Sequence, residues 1–313
     1  MDSTRDDKNG LPGRRRVLEC LTWTGAGVLW TVAGGVPRSR LLGSAQAAVP
    51  ETGLSFVQIS DSHIGFKNPP NPDTAATLTE AINLVRAQKG SAAFMLHTGD
   101  VSHLSRPAEF DTAEQINKGA GLDIHYVPGE HDVLEDNGKA FFQRFTPGAE
   151  RGWKSWDQGG VHFIGLNNVQ DLKAGGMGNL GADQLAWLQR DVEGRAASQP
   201  IVVFAHIPLW TVSQEWGWAT EDGAQALQAL RRFGSVTVLN GHIHQVMQKV
   251  EGNVAFHTAR STAFPQPVPG TAPSPGPIKT VPPDRLRSML GVTSVKLVEG
   301  QPGLAIVDAA LGA

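Results

Sequence analysis

Val236-Thr237-Val238-Leu239-Asn240-Gly241-His242-Ile243-His244 is the stretch whose reading decides how this chain folds. The apolar run Val236 to Leu239 reads as a buried strand, and Asn240-Gly241 supplies a sharp exit. Two imidazoles at i and i+2 beyond that exit can point into one concave space. Neutral imidazole is a common ligand for Zn, Fe, Mn and Ni. By itself a histidine pair on a turn is more often solvated or packed than metal-bound.

The same event recurs along the chain. Asp61-Ser62-His63 follows the apolar run Leu54 to Ile59, and Gly99-Asp100 follows Ala92 to Leu96. Gly129-Glu130-His131-Asp132 follows Ile124 to Val127, and His206 follows Ile201 to Ala205. In α/β sheets ligands bind outside the carboxyl ends of strands, so these ends can converge on one crevice. Helical stretches lie between them. Asp73 or Thr74 caps one that carries Leu78, Ile82 and Val85 on a face, and Pro107 opens the next. Glu135 to Phe145, Asp183 to Val192 and Glu221 to Phe233 also read as helices. Val161 to Leu166, the hairpin Gln245 to Val250 with Val254 to His257, and the runs Thr293 to Val298 and Leu304 to Val307 add strands. The class is α/β. Residues 264–283 hold eight prolines and read as an irregular loop, a surface connector in preference to a lid.

The order DxH, GD, GxHD, H, GHxH from Asp61 to His244 resembles the calcineurin-like metallophosphoesterase family. The resemblance implies two mixed sheets packed face to face with helices outside, and a pair of metal ions bridged by Asp100. Asp61, His63 and His244 would complete one ion's ligands; Glu130, His206 and His242 would complete the other's. A hydroxide between the ions would attack a phosphate ester, with His131 as general acid and Asp132 orienting its ring. Mixed carboxylate and imidazole donors suit Fe or Mn, with Zn also possible, better than Ca or Mg. The family usually has Asn where this chain has Glu130. That extra carboxylate implies either a more oxidised metal pair or a preference for singly charged phosphodiesters, unless Glu130 swings out and the second ion is weak.

His103, three residues after Asp100, either supports a ligand, faces the substrate or is a solvated loop histidine. His257 is a candidate substrate contact at a strand end. Trp210, with Trp216 and Trp218, can wall a pocket for a base or an apolar leaving group, or simply pack. Trp153 and Trp156 are equally ambiguous, and His97, His125 and His162 read as packed strand residues.

The 313 residues, 40% hydrophobic, can bury a substantial core. Residues 1–47 hold seven Lys/Arg and four Asp/Glu, which leaves 20 basic and 26 acidic residues beyond them. That balance argues against a nucleic-acid or anionic-membrane surface. Arg14-Arg15-Arg16, the apolar stretch Leu21 to Val36 and Ala45-Gln46-Ala47 resemble a cleaved twin-arginine signal peptide over 1–47, ahead of one domain over 48–313. The expectation is export in folded form to the periplasm or beyond, with the export machinery as partner and no stable membrane partner. An uncleaved anchor over Val17 to Val36 is the alternative. Cys20, the sole cysteine, lies in that leader and follows Glu19, unlike a lipoprotein cysteine. Hydrolysis of a phosphodiester is the expected function. A broad phosphomonoesterase, a phospholipid headgroup hydrolase and a non-catalytic metal- or phosphate-binding protein are the alternatives.

Overall fold

A computed structural model describes residues 28–33, 36–41, 53–87, 91–149, 151–298 and 303–312. The chain divides into two compact units, Met1–Pro50 and Glu51–Ala313. In the first, β1 (Val28–Ala33) pairs antiparallel with β2 (Val36–Leu41). The described part of the stretch expected as leader or anchor is therefore extended. The arginine run, Cys20 and the Ala-x-Ala site lie outside the described residues. No described helix is long and apolar enough to cross a membrane.

The second unit runs β3 (Ser55–Ile59), α1 (Thr74–Ala87), β4 (Met95–His97), α2 (Pro107–Lys118), β5 (Ile124–Tyr126), α3 (Lys139–Phe145), β6 (Lys154–Gln158) and β7 (Val161–Gly165). It continues α4 (Gly181–Val192), β8 (Ile201–Phe204), α5 (Gly223–Leu230), β9 (Val236–Asn240), β10 (Gln248–Glu251), β11 (Val254–Thr258), α6 (Pro283–Met289), β12 (Gly291–Leu297) and β13 (Leu304–Ala310). One sheet has the order β10-β11-β9-β8-β7-β6 and the other β13-β12-β3-β4-β5. β3, β4 and β5 are parallel, as are β7, β8, β9 and β11, while β6, β10 and β12 run against them and β13 pairs antiparallel with β12. This is the expected α/β fold of two mixed sheets with helices on the outer faces.

The apolar runs are continuous, not alternating, because each central strand is buried on both sides. Phe56, Phe94, Leu96, Phe163, Val202, Phe204 and Leu239 fill the space between the sheets. Phe56 stacks on Phe94 with ring centroids 5.0 Å apart and meets Phe163 edge-on at 5.4 Å. Each such side chain contributes roughly 1.5–3 kcal/mol by leaving water. Leu78, Ile82 and Val85 of α1 pack with Phe110 and Phe141 over the outer face of the five-stranded sheet. Leu188 and Val192 of α4 and Ala226 and Leu230 of α5 do the same for the six-stranded sheet.

Local signals set the helix starts. Asp73 Oδ1 accepts the Ala76 amide at 3.0 Å, and Pro107 stands in the first turn of α2 with Glu109 reaching back to the Arg106 amide. α3 begins at Lys139 and not at Glu135, because Asn137 and Gly138 adopt φ of 57° and 83°, which no helix propagates through. α5 is likewise shorter than expected at both ends. β6 was not expected at all: Lys154-Ser-Trp-Asp-Gln158 has one large apolar residue, and the turn Gly159-Gly160 that folds it onto β7 is the clearer sign. α6 starts at the last proline of the 264–283 segment.

Candidate metal centre

The loops after β3, β4, β5, β8 and β9 meet at one end of the sandwich. They are laced together backbone to backbone. The Asp61 amide donates to the Gly99 carbonyl at 3.0 Å, the His63 amide to Asp100 at 2.9 Å, and the Gly241 amide to His206 at 3.0 Å. Beneath them the Gln58 side-chain amide donates to Thr98 Oγ1 at 3.0 Å and to the Asn240 carbonyl at 3.2 Å, tying the two sheets. Gly241 has no side chain because a Cβ there would collide with Ser60 Oγ and the Asp61 carboxylate.

Of the seven described residues other than glycine with left-handed backbone, five lie in these loops' motifs: Asp61 (φ 54°), His63 (39°), Asp100 (54°), His242 (69°) and His244 (55°). Each such residue costs on the order of 1–3 kcal/mol and persists only where the surroundings over-determine it. All five are expected metal ligands.

Seven side chains converge. His63 Nε2 lies 3.3 Å from His244 Nε2, and His244 Nε2 lies 3.3 Å from Asp61 Oδ1. His206 Nε2 is 2.9 Å from Glu130 Oε2, and His242 Nδ1 is 3.0 Å from Glu130 Oε1. Asp100 Oδ2 stands between the groups, 3.4 Å from His63 Nε2 and 3.4 Å from His206 Nε2. Its other oxygen is committed, accepting the His131 amide at 2.9 Å. Two of the imidazoles are aimed from behind. His206 Nδ1 donates to the Thr98 carbonyl and His244 Nδ1 to the Phe264 carbonyl, each at 2.6 Å, which leaves both Nε2 lone pairs facing the centre.

Charge balance points the same way. Burial opposes ionisation of Asp61, yet His244 and His206 hold its pKa down to about 2. Glu130 is held well below the usual carboxylate range by His242 and His206 despite its burial. Against the effect of burial, Asp100 and Glu130 raise His206 well above the ordinary imidazole range. Burial and three neighbouring imidazoles depress His63. Among the described residues, three carboxylates thus share one pocket with imidazoles as their charge partners. Glu130 Oε2, His206 Nε2 and His242 Nδ1 are buried without a properly directed hydrogen bond, although their partners lie within 3.0 Å. Donor atoms that converge without bonding to one another fit ligands around a shared cation. Asp61-His63-His244 and Glu130-His206-His242 each place one ligand atom per residue within 4.8 Å of the others, as expected for two ions with Asp100 between them.

His131 sits at this centre, with a ring nitrogen within 4.8 Å of oxygens of both Asp100 and Glu130. Those two carboxylates raise its pKa against the opposing effect of burial. Asp132 does not orient it, contrary to expectation. The fully buried Asp132 carboxylate accepts the amides of Val101 (3.1 Å), Ser102 (2.8 Å) and Gly129 (3.0 Å) and the Ser102 hydroxyl (3.0 Å). It clasps the loops after β4 and β5, and its four donors leave no place for the ring. The His131 Nδ1 proton goes instead to the His103 carbonyl at 2.7 Å.

Two further expectations need correction. Trp210 packs on Phe256, ring centroids 4.8 Å apart, in the core under α4 and α5 and not at the centre. His257 is buried in β11 and pairs with Asp308 Oδ2 of β13 at 3.0 Å, bridging the two sheets. Trp216 and Trp218 pack against Ile243, between the two histidines of the last motif, so they are packing for that turn. His97 and His162 are buried, as expected, while His125 is only partly buried and stacks on Trp156 at 3.8 Å. His103 is half-buried beside His63 and His131.

The sequence reading missed Phe264, whose ring stacks on His63 at 4.8 Å and whose carbonyl holds His244. It also missed Gln266, which donates to the His242 carbonyl at 3.0 Å. The proline-rich segment therefore starts as a buried support for the centre, which proline content alone does not reveal. Gln58, a polar residue inside an apolar strand, was the one legible sign of the network below.

The sequence matches the family model described as calcineurin-like phosphoesterase over residues 54–246. It is 23% identical over 221 residues to a probable cyclic nucleotide phosphodiesterase of Rhodopseudomonas palustris, covering 67% of this chain and 78% of that one. A protein of the same name from Ruthia magnifica is 26% identical over 220 residues, covering 67% and 86%. Among solved structures, a dimetal phosphatase from Danio rerio superposes with a TM-score of 0.61 at 14% identity, covering 82% of this chain and 96% of that one. A purple acid phosphatase from yellow lupin superposes with a TM-score of 0.59 at 13% identity, covering 83% and 52%. With its motifs gathered at one end of a two-sheet sandwich and the family match spanning most of that sandwich, this chain belongs to the calcineurin-like phosphoesterases.

Proposed function

We propose that this chain hydrolyses phosphodiesters at a dinuclear metal centre. The observation that carries the reading is the convergence of Asp61, His63, Asp100, Glu130, His206, His242 and His244, with Asp100 Oδ2 equally far from His63 and His206, one histidine of each set. Two cations held there would supply Lewis-acid activation of the attacking water and of the phosphoryl oxygens. The mixed carboxylate and imidazole donors suit Fe or Mn, and Zn as well.

The chain's own residues account for the rest. His131, its Nδ1 proton fixed on the His103 carbonyl, has its other ring nitrogen free to give a proton to the departing oxygen as the P–O bond breaks. The imidazole recovers that proton from water. Asp100, Asp61 and Glu130 bring three negative charges, which together with a hydroxide nucleophile would balance a pair of divalent ions, whereas a neutral residue at 130 would leave a surplus of one. A centre without that surplus gains less from the second charge of a phosphomonoester dianion, and this favours the diester monoanion. The probable cyclic nucleotide phosphodiesterases similar to this chain agree with the preference. A binding protein of the same fold would have no use for a proton donor at His131.

The proposed setting is outside the cytoplasmic membrane, reached in folded form by twin-arginine export. Arg14-Arg15-Arg16 and Ala45-Gln46-Ala47 support that reading. The test is elemental analysis of protein purified from the exported fraction, with bis-p-nitrophenyl phosphate and p-nitrophenyl phosphate assayed on the same sample. Two equivalents of metal and faster diester turnover are expected. Metal-replete protein inert towards both esters would refute the enzymatic reading.

A further inference from the structure

We infer that His103 is a positioning residue that ties one metal ligand, His63, to the proton donor, His131. The half of this inference that concerns His131 rests on the function proposed above. The half that concerns His63 rests on its place among the metal-ligating side chains and needs no catalysis.

Residue 103 is held at three points. Its amide donates to the Ile64 carbonyl at 2.9 Å, its carbonyl accepts His131 Nδ1 at 2.7 Å, and its ring Nδ1 faces His63 Nδ1 at 3.4 Å. His63 turns its other nitrogen, Nε2, toward Asp100 and His244. An imidazole that ligates through Nε2 carries its proton on Nδ1, and that proton needs an acceptor. Among the described residues His103 Nδ1 is the acceptor placed for it, so His103 must be the tautomer protonated on Nε2. The ring cannot swing away easily. It lies 4.9 Å from the His131 ring at an interplanar angle of 16°, and Phe66 meets it edge-on at 5.2 Å. Ser102, the residue before it, is pinned to Asp132 through both its amide and its hydroxyl. His103 thus sets the orientation of a ligand from the first loop and of the proton donor from the third. Partners of this kind behind a metal-bound histidine are typically worth 10–100-fold in metal affinity or activity.

The experiment is a titration of metal-free protein with Mn or Zn against a chromogenic chelator, on wild type, His103→Phe and His103→Asn. The phenyl ring keeps the stacking on His131 and Phe66 but accepts nothing, whereas the Asn side-chain oxygen lies near the position of Nδ1. His103→Phe is expected to weaken one of two binding events by 10–100-fold, and His103→Asn to recover most of that loss. Wild-type affinity for both ions in His103→Phe would overturn the inference. So would an Asn variant no better than Phe, since the ring would then act by packing. Thermal melts of the metal-free variants separate misfolding from lost affinity, because a variant that melts as wild type does has kept its fold. Failure of the phosphoesterase reading would appear differently, as tight binding of two ions without ester turnover, and would leave this titration intact.

Discussion

Replacing Glu130 by Gln changes one charge at nearly constant shape, and the structure fixes where that charge acts. The carboxylate lies 2.9 Å from His206 and 3.0 Å from His242, inside the centre. A phosphorus bound between the two ligand sets would be roughly 4–6 Å away, so one unit charge interacts with another by about 3–4 kcal/mol at an effective dielectric near 20. Water in an open cleft screens part of that, leaving about 2 kcal/mol. A monoester dianion carries one charge more than a diester, so its penalty from Glu130 is greater by this amount. Glu130→Gln should therefore raise the monoester-to-diester ratio of kcat/KM about 30-fold, at about 1.4 kcal/mol per tenfold. The assay compares p-nitrophenyl phosphate with bis-p-nitrophenyl phosphate on variant protein whose metal content has been measured. An unchanged ratio at full metal occupancy would refute the electrostatic argument. Loss of one metal equivalent in the variant would instead show Glu130 acting as a ligand whose charge is needed for binding.

Asp132→Asn turns an acceptor of four donors into a group whose NH2 faces some of them. It should cost about 2–4 kcal/mol in urea melts, while the pH profile of kcat in the folded fraction stays as in wild type; a shifted profile with unchanged stability would restore the orienting role. His131→Gln should lower kcat by roughly 10²–10⁴-fold on substrates with poor leaving groups but far less on p-nitrophenyl esters, whose leaving group needs no proton; equal losses on both would argue against proton donation. Burial holds His97 at a pKa of about 3. Above pH 6.5 it is neutral folded or unfolded; below that the unfolded chain takes up a proton the fold refuses, so stability falls by up to about 1.4 kcal/mol per pH unit down to pH 3. Between pH 7.5 and 5 wild type should lose about 2 kcal/mol more than His97→Asn in urea melts, and equal losses would place the titration elsewhere. Stripping metal with a chelator should lower Tm, because cations that bind only the folded state stabilise it in proportion to their affinity; an unchanged Tm would mean that no ion was held.

Several features of the fold were legible because burial writes itself into composition. Strands covered on both faces must be apolar throughout, so Leu54 to Ile59, Ile201 to Ala205 and Val236 to Leu239 announced themselves, and each ended in a polar cluster where the sheet stopped. β6 escaped because an edge strand needs little apolar content, and Lys154-Ser-Trp-Asp-Gln158 satisfies its sheet with backbone bonds to β7 alone. His257 and Trp210 misled for a related reason. A histidine at a strand end looks the same in sequence whether it meets a substrate or, as here, Asp308 fifty-one residues away. Asp132 was misread because adjacency in sequence is not adjacency of side chains. His131 and Asp132 leave the same short turn in different directions, one into the centre and one into the loops behind it.

The ligand positions themselves carry a cost that the sequence shows only indirectly. Asp61, His63, Asp100, His242 and His244 hold left-handed backbones that glycine would adopt without strain. Glycine has no ligand to offer, so each position keeps a strained, functional residue, while Gly99 and Gly241 stand beside them where space is short. The opposing stabilisation comes from the lacing of the loops and from the sheets below: the Gln58 amide, the Asp61 to Gly99 and His63 to Asp100 backbone bonds, and the Asp132 clasp. The motifs did not show these supports, because they use main-chain atoms, a glutamine outside the motifs, or, in Asp132, a motif carboxylate turned to a different task. Their effect is that the loops reach the centre already shaped. Cations bound there would have little ordering of the chain to offset, so their affinity for the two ligand sets would go to holding them in place.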